Sequence, residues 1–365
     1  MANTILHNLL DYAVTNGASD IHIKQNAPVS VRLDGEMVAT DFVPDYEMLM
    51  HFLKEVANES QVASFNKIGD LDLSHLEDEV GRFRLNIHRQ RNTICITMRY
   101  VKNKLMTFEE LGLPPVLSML SERSRGIILM TGTTGSGKST TLAAMLEHVN
   151  QNMNKHVITI EDPIEYEFED KKSFFEQREV GIDTESFASA LKHCLRQDPD
   201  IIMVGEMRDR NSFEAALQAA DTGHLVITTL HASNASQSIT RILDFFNRDE
   251  QDQIRESLAN NLVSVISQRL VPRAFGGGRS PICEIMINIP LVAKMILDDK
   301  LEKLPGAIAS SRNEGMQTFN QDLYDHVQEG TITEEDALAA SDNPGQLKMN
   351  FQGIFLSQGD SQIVG

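Results

Sequence analysis

Only three cysteines occur in 365 residues, Cys95, Cys194 and Cys283, far apart and with no C-x-x-C pair. That spacing excludes a zinc ribbon and offers no disulfide framework, so the thiols are expected to be buried and reduced. No apolar stretch approaches the roughly 18 residues that a bilayer span requires. The first twenty residues, MANTILHNLLDYAVTNGASD, lack a basic segment followed by a long apolar run, so no signal peptide is expected. Cations are in deficit: 33 Lys and Arg against 52 Asp and Glu give a formal charge of -19. Such a balance repels phosphate backbones and disfavours general nucleic-acid binding. Internal repeats and low-complexity tracts are also missing. The expectation is a soluble cytoplasmic protein, not membrane-spanning and with no nucleic-acid partner.

What is present suffices for two domains. Hydrophobic residues make up 41% and charged residues 23%, as in ordinary globular chains. Ile5, Leu9, Leu10 and Val14 have helical spacing, and Gly17 stops that helix. Ile21–Ile23 and Val29–Leu33 read as strands, with Asp34-Gly35 as a hairpin turn. Met48–Val56 reads as a helix, and Gly81–His88 and Thr93–Val101 as strands. Residues 1–101 are therefore expected to form a smaller α+β domain with no catalytic set of its own. A linker is expected over 102–122, polar at Lys102–Lys104 and punctuated by Leu113-Pro114-Pro115. Short apolar runs follow at Gly126–Met130, Val157–Ile160, Ile201–Val204 and Leu225–Thr229. Helical stretches at Thr141–Val149, Phe187–Leu195 and Phe213–Ala220 separate them. That alternation predicts a mostly parallel α/β sheet across 123–345, with a glycine loop at Gly276–Gly278, helices from Pro290 onward and a loosely held tail over 346–365.

One motif carries chemistry by itself. Gly132-Thr133-Thr134-Gly135-Ser136-Gly137-Lys138-Ser139 matches G-x-x-x-x-G-K-[ST] in full, with an apolar strand before it and a helix-forming run after it, and Thr140 is expected to join it in binding nucleotide. The glycines let backbone N–H groups curl around a phosphate, and the following helix adds its positive end. Lys138 reaches the β- and γ-phosphates, and the Ser139 hydroxyl is a natural Mg²⁺ ligand. ATP with Mg²⁺ is the expected cofactor pair. Hydrolysis also needs a carboxylate to orient water. Glu165, after the Asp162-Pro163 turn, and Glu206, after the Ile201–Val204 run, are the candidates at strand ends. His224 and His231 flank the Leu225–Thr229 strand and are expected to place both imidazoles near a γ-phosphate.

The ordered set GTTGSGKST at 132–140, TIEDPIEY at 159–166, LRQDPDIIMVGEMRD at 195–209 and TGHLVITTLHASNA at 222–235 resembles the secretion-ATPase superfamily of type II secretion and type IV pili. Within it, GASDIHI at 17–23 and GRFRLNIHRQR at 81–91 are similar to the PilT/PilU branch of pilus retraction ATPases. The stretch at 314–344 looks closer to PilU. The resemblance implies a RecA-like P-loop ATPase domain preceded by a PAS-like domain, assembled as a homo-hexamer. It implies Glu165 as catalytic glutamate, Glu206 as Walker B carboxylate, and His224 and His231 as the His-box pair. Arg82, Arg84 and Arg99 of the small domain are implied to approach nucleotide at a subunit interface. The implied setting is the inner face of the cytoplasmic membrane, with a PilT-type ATPase and an inner-membrane pilus platform protein as partners. One departure stands out: PilT types carry a helix resembling AIRNLIRE, whereas Leu291–Asp299 here has no arginine. That favours a PilU-like accessory role. The rival readings are a pilus-assembly or type II secretion ATPase, which usually has a longer N-terminal region and a tetracysteine zinc loop, and a RecA-like nucleic-acid motor.

Overall fold

A computed structural model of the chain describes residues 4–33, 35–101 and 105–355. Asp34 of the expected turn, Lys102–Lys104 of the expected linker and residues 356–365 of the expected tail lie outside the described residues. Residues 1–104 together with Pro163–Glu167 form one compact unit, and the rest of the chain forms a second.

The smaller unit runs α1 (Ile5–Thr15), β1 (Asp20–Lys24), β2 (Ser30–Leu33), β3 (Glu36–Ala39), α2 (Tyr46–Val56), α3 (Glu59–Ile68), β4 (Asp70–Glu77), β5 (Gly81–Gln90) and β6 (Thr93–Val101). Its six strands form a sheet in the order β3-β2-β1-β6-β5-β4, antiparallel throughout. Period-two alternation sends Phe83, Leu85 and Ile87 of β5 and Ile94, Ile96 and Met98 of β6 into a core shared with Leu6 and Leu10 of α1, Phe52 of α2 and Phe65 of α3. Arg82, Arg84 and Arg99 fall on the other face. The helix ends are set locally: Asn58 and Gln61 close a capping box on α3, and Thr4 caps α1 by accepting from the His7 N–H.

The larger unit runs α4 (Phe108–Leu111), α5 (Val116–Ser121), β7 (Gly126–Thr131), α6 (Lys138–Asn152), β8 (His156–Glu161), β9 (Phe174–Glu179), α7 (Phe187–Cys194), β10 (Ile201–Val204), α8 (Arg210–Asp221), β11 (Leu225–Leu230), α9 (Ala235–Leu243), α10 (Gln251–Asn261), β12 (Leu262–Pro272), β13 (Arg279–Ile287), α11 (Pro290–Leu297), α12 (Leu304–Ser310), α13 (Phe319–Gln328), α14 (Glu334–Ala340) and α15 (Pro344–Phe351). Its sheet order is β13-β12-β7-β11-β10-β8-β9. All neighbours are parallel except β12 and β13. Strands β7, β10 and β11 are buried along their whole length, which is why they read as continuous apolar runs.

Two boundaries differ from the sequence reading. Residues 105–122 are not a bare linker: Phe108 of α4 and Leu117 and Leu120 of α5 are buried in the core of the larger unit. The expected tail begins as structure, since α15 buries Leu347 against a small C-terminal cluster with Phe319 and Leu323. All three cysteines are buried free thiols, and burial pushes Cys194 up to about 11, as expected of inert cysteines. Among the described residues, no helix is long and apolar enough to cross a membrane.

Asp322 of α13 is 6% exposed and accepts the Cys283 N–H at 2.7 Å. Burial pushes its carboxyl up to about 7, above the roughly 4 of an unfolded chain. The proton is therefore held more tightly when folded. This contribution to stability is complete below about pH 4 and is lost as pH rises through about 7. Asp322→Asn keeps an acceptor for Cys283 and removes the titration. Its stability relative to wild type, read from denaturant midpoints, should improve by at least about 1 kcal/mol between pH 5 and pH 8.

Candidate active site

Parallel strands deliver their carboxyl ends to one edge of the sheet, and the phosphate loop leaves from the middle of that edge. β7 ends at Thr131 and runs into Gly132–Gly137, which turns back into α6. β8 ends at Glu161, β10 ends one residue before Gly205-Glu206, and β11 ends just before His231. The register sets Leu230 beside Thr131, and Val204 beside both Thr228 and Ile160.

The loop's shape depends on close packing. Gly132 has φ +148°, and a Cβ there would come within 2.5 Å of both the Gln268 carbonyl oxygen and Ser136 Oγ. Gln268, buried on β12, donates from Nε2 to the Ser136 carbonyl at 2.8 Å and accepts from Thr141 Oγ1 at 2.7 Å. One side chain thus ties the loop to the first turn of α6. Beneath it, Thr131 Oγ1 donates to Ser267 Oγ at 2.8 Å. Lys138 Nζ donates to the carbonyls of Gly132 at 2.9 Å and Thr133 at 3.0 Å, so the lysine arches over the loop. Thr133, Thr134 and Gly135 form its exposed crest, while Ser139 and Thr140 are half-buried in the first turn of α6.

These residues fit a phosphate group. α6 has no side-chain cap at its N-terminus, and the positive end of the helix favours an anion there. Ser136 Oγ is buried with no hydrogen-bond partner, and the glycine cradle leaves backbone where a side chain would stand.

Beside the loop, Glu206 and His231 come together: Glu206 Oε1 lies 3.3 Å from His231 Nε2, and Arg208 Nε donates to Glu206 Oε2 at 2.8 Å. Thr229 fixes the strand end, its Oγ1 donating to the Gly205 carbonyl at 2.6 Å. His224 does not join them. Leu225 pairs with Gly126 at the opposite edge of the sheet, and the Gly126 N–H donates to the His224 carbonyl at 3.0 Å. Six residues of strand at roughly 3.3 Å each separate the two histidines by about 20 Å. Bracketing a parallel strand puts the flanking residues at opposite edges, so one chain does not bring both imidazoles to one phosphate. Instead, His224 Nδ1 lies 3.0 Å from the Ala219 carbonyl, where it finishes the last turn of α8.

The arginines and Glu165 meet within the smaller unit. Arg84 sits opposite Arg99 across β5 and β6, and Arg99 sits opposite Asp20 on β1. With Arg82 two residues from Arg84, all three share one face of the sheet. Each holds a carboxylate of its own chain. Arg84 Nη1 donates to Glu165 at 3.1 Å, Arg82 Nε to Glu167 at 3.0 Å, and Arg99 Nε to Asp20 at 2.8 Å. Burial pushes Asp20 up, but hydrogen bonds from Arg99 and Ser19 outweigh it and hold the carboxyl below its ordinary value. Glu167, Gln268 and the buried Glu161, which accepts from Thr159 Oγ1 at 2.7 Å, were not singled out from the sequence.

A mostly parallel sheet with a complete phosphate loop at its carboxyl edge and a carboxylate at the end of a nearby strand defines a P-loop ATPase. Residues 1–336 match the family of type II/IV secretion system proteins. The chain belongs to that family. It is 40% identical over 342 residues to the type IV pilus ATPase PilU of Pseudomonas aeruginosa, covering 93% of this chain and 90% of that one. It is 41% identical over 330 residues to the type IV pilus retraction ATPase PilT of the same organism, covering 90% and 96%. The solved structure of the pilus retraction motor PilT with bound ADP superposes with a TM-score of 0.87 at 42% identity, over 95% of this chain and 99% of that one.

Gly132→Ala tests the cradle. A methyl group at φ +148° meets the Gln268 carbonyl, and that oxygen belongs to a buried strand that cannot give way. Affinity for a fluorescent ATP analogue should fall by more than about tenfold, with the circular dichroism spectrum unchanged.

Proposed function

We propose that this chain is a hexameric ATPase motor of type IV pilus retraction, acting beside a PilT-type ATPase at the cytoplasmic face of the inner membrane. The observation that supports this best is full-length similarity. Both units, with the phosphate loop intact, align to two ATPases named for type IV pili. The two identities are nearly equal and do not separate a PilT from a PilU role. The accessory role rests on α11, where Leu291–Asp299 lacks the arginines of the PilT pattern.

In this reading ATP lies with its phosphates in Gly132–Thr140. Ser139, with Glu206 as the Walker B carboxylate, would hold a Mg²⁺ ion, whose chemistry would be charge neutralisation on the phosphate oxygens. Lys138 neutralises the β- and γ-phosphates, Glu165 orients the attacking water, and His231 senses the γ-phosphate through Glu206. Arg82, Arg84 and Arg99 serve the nucleotide of a neighbouring protomer. For that, each arginine must exchange an intramolecular carboxylate for phosphate, which couples nucleotide engagement to a rearrangement of the smaller unit. Hydrolysis around the ring would then turn the pilus platform protein.

Three measurements test these roles. Lys138→Ala should weaken ATP binding, while Glu165→Gln should keep binding and lose turnover, by about 10²-fold or more. Wild-type turnover in Glu165→Gln would move the assignment to Glu206. Mixing Arg82→Ala/Arg84→Ala protomers with Glu165→Gln protomers should restore activity that neither has alone, because some interfaces then pair intact arginines with an intact glutamate. An arginine in trans is worth about 10³–10⁵ in rate, so the recovery should be readily visible in phosphate release. Finally, expression of this chain in a strain without any other retraction ATPase should leave twitching incomplete. Full retraction there would overturn the accessory role.

A further inference from the structure

A cavity of about 700 Å³ lies in the C-terminal part of the larger unit, walled by the N-terminus of α9, by β13, α12 and α13, and by the start of α15. It is far too large for a metal ion and falls within the size range of sites for organic ligands. Its lining is polar in a particular way: six amide-bearing residues, Asn234, Asn320, Gln321, Asn343, Gln346 and Asn350, contribute to it together with Tyr324 and Phe319. On its wall stands Glu284 of β13, 7% exposed.

Glu284 has one visible duty. Its Oε1 accepts the Ala235 N–H, in the first turn of α9, at 2.8 Å. Its carboxyl makes no ion pair among the described residues. Arg269, whose charge reaches it, is held by both oxygens of Asp342 at 2.7 and 2.8 Å. Arg312, at the cavity rim, is spent on Asp325. Both cations near the cavity are therefore neutralised, while a buried acid facing it is not. Burying an unpaired charge is costly unless an opposite charge arrives or the group takes up a proton.

We propose that this cavity is a binding site for an organic cation, a guanidinium or alkylammonium group, with Glu284 as its counter-ion and the amide oxygens and aromatic rings as its walls. A cation seated there keeps Glu284 ionised. That places a full negative charge against the first turn of α9, where the helix dipole favours it. α9 begins four residues after His231, so the site adjoins the segment leading away from the phosphate edge. The chemistry is shared by a small free amine and by an arginine or lysine side chain of a polypeptide.

Burial, reinforced by Asp342 and only partly offset by Ala235 and Arg269, pushes Glu284 up to about 7. The other charged or titratable groups around it are Arg312, Asp325 and Tyr324. Asp322 titrates in the same range but does not line the cavity. Because only the ionised carboxylate attracts a cation, affinity must rise with pH, by about tenfold from pH 6 to pH 8 for a midpoint near 7.

The test is isothermal titration of the full chain, at physiological salt, with agmatine, with N-acetyl-arginine amide and with neutral N-butylurea. Both cations are expected to bind saturably and about tenfold tighter at pH 8 than at pH 6, and the urea is not. Tighter binding of the arginine amide points to a polypeptide side chain, and tighter binding of agmatine to a small amine. Glu284→Gln preserves the acceptor for Ala235 and should abolish both the cation binding and its pH dependence. Ser310→Trp, which fills the rim, should weaken binding without touching Glu284. The proposal is overturned by absence of saturable binding at pH 8, by equal affinity at the two pH values, by unchanged binding in a folded Glu284→Gln protein, or by urea binding as tightly as the cations.

Discussion

Gln268 holds the centre of this molecule together. A P-loop turns backbone N–H groups toward a phosphate, and its tight curl is held by what packs against it. Here a buried amide on β12 grips the Ser136 carbonyl with one end and the α6 hydroxyl of Thr141 with the other. The same residue's main-chain oxygen closes over Gly132 so tightly that only a glycine fits. At the same carboxyl edge β11 lies beside β7 and β10 beside β11, and His231 and Glu206 stand 3.3 Å apart.

The smaller unit contributes arginines, and each is paired within its own chain. Three arginines line one face of its sheet, and each is met by a carboxylate from its own chain. Two of those carboxylates, Glu165 and Glu167, come from the five-residue segment Pro163–Glu167, which groups with this unit although it departs from β8 of the other. In the role proposed for Glu165, its ion pair with Arg84 is the resting arrangement of the water-orienting group. In the proposed motor the arrival of a γ-phosphate competes for the arginine and releases the glutamate, so that binding and bond cleavage are linked by a change of ion-pair partners.

Much of this could be read from the chain before folding. The phosphate loop is legible because its spacing is dictated by the ligand. The central strands are legible because burial on both faces leaves an unbroken apolar run, as in Ile201–Val204. The β12–β13 hairpin is hard to read from sequence: Ser264, Ser267, Gln268 and Arg269 break the apolar pattern of β12, and the burial of the first three is explained by what they bond to elsewhere. β4 hides in the same way, with charged residues alternating around Leu71 and Leu73. The pairing of Arg84 with Glu165 spans 81 residues and leaves no local trace. His224 illustrates the opposite error, where a motif suggested proximity that the direction of a parallel strand forbids.

In the proposed ring, the nucleotide site is completed between protomers. This is measured most directly by the ATPase rate per chain as a function of protein concentration, with sedimentation velocity on the same samples. Turnover per chain should be negligible where the protein sediments as a monomer and should rise in step with ring assembly. A turnover per chain that stays constant down to fully monomeric concentrations would contradict it.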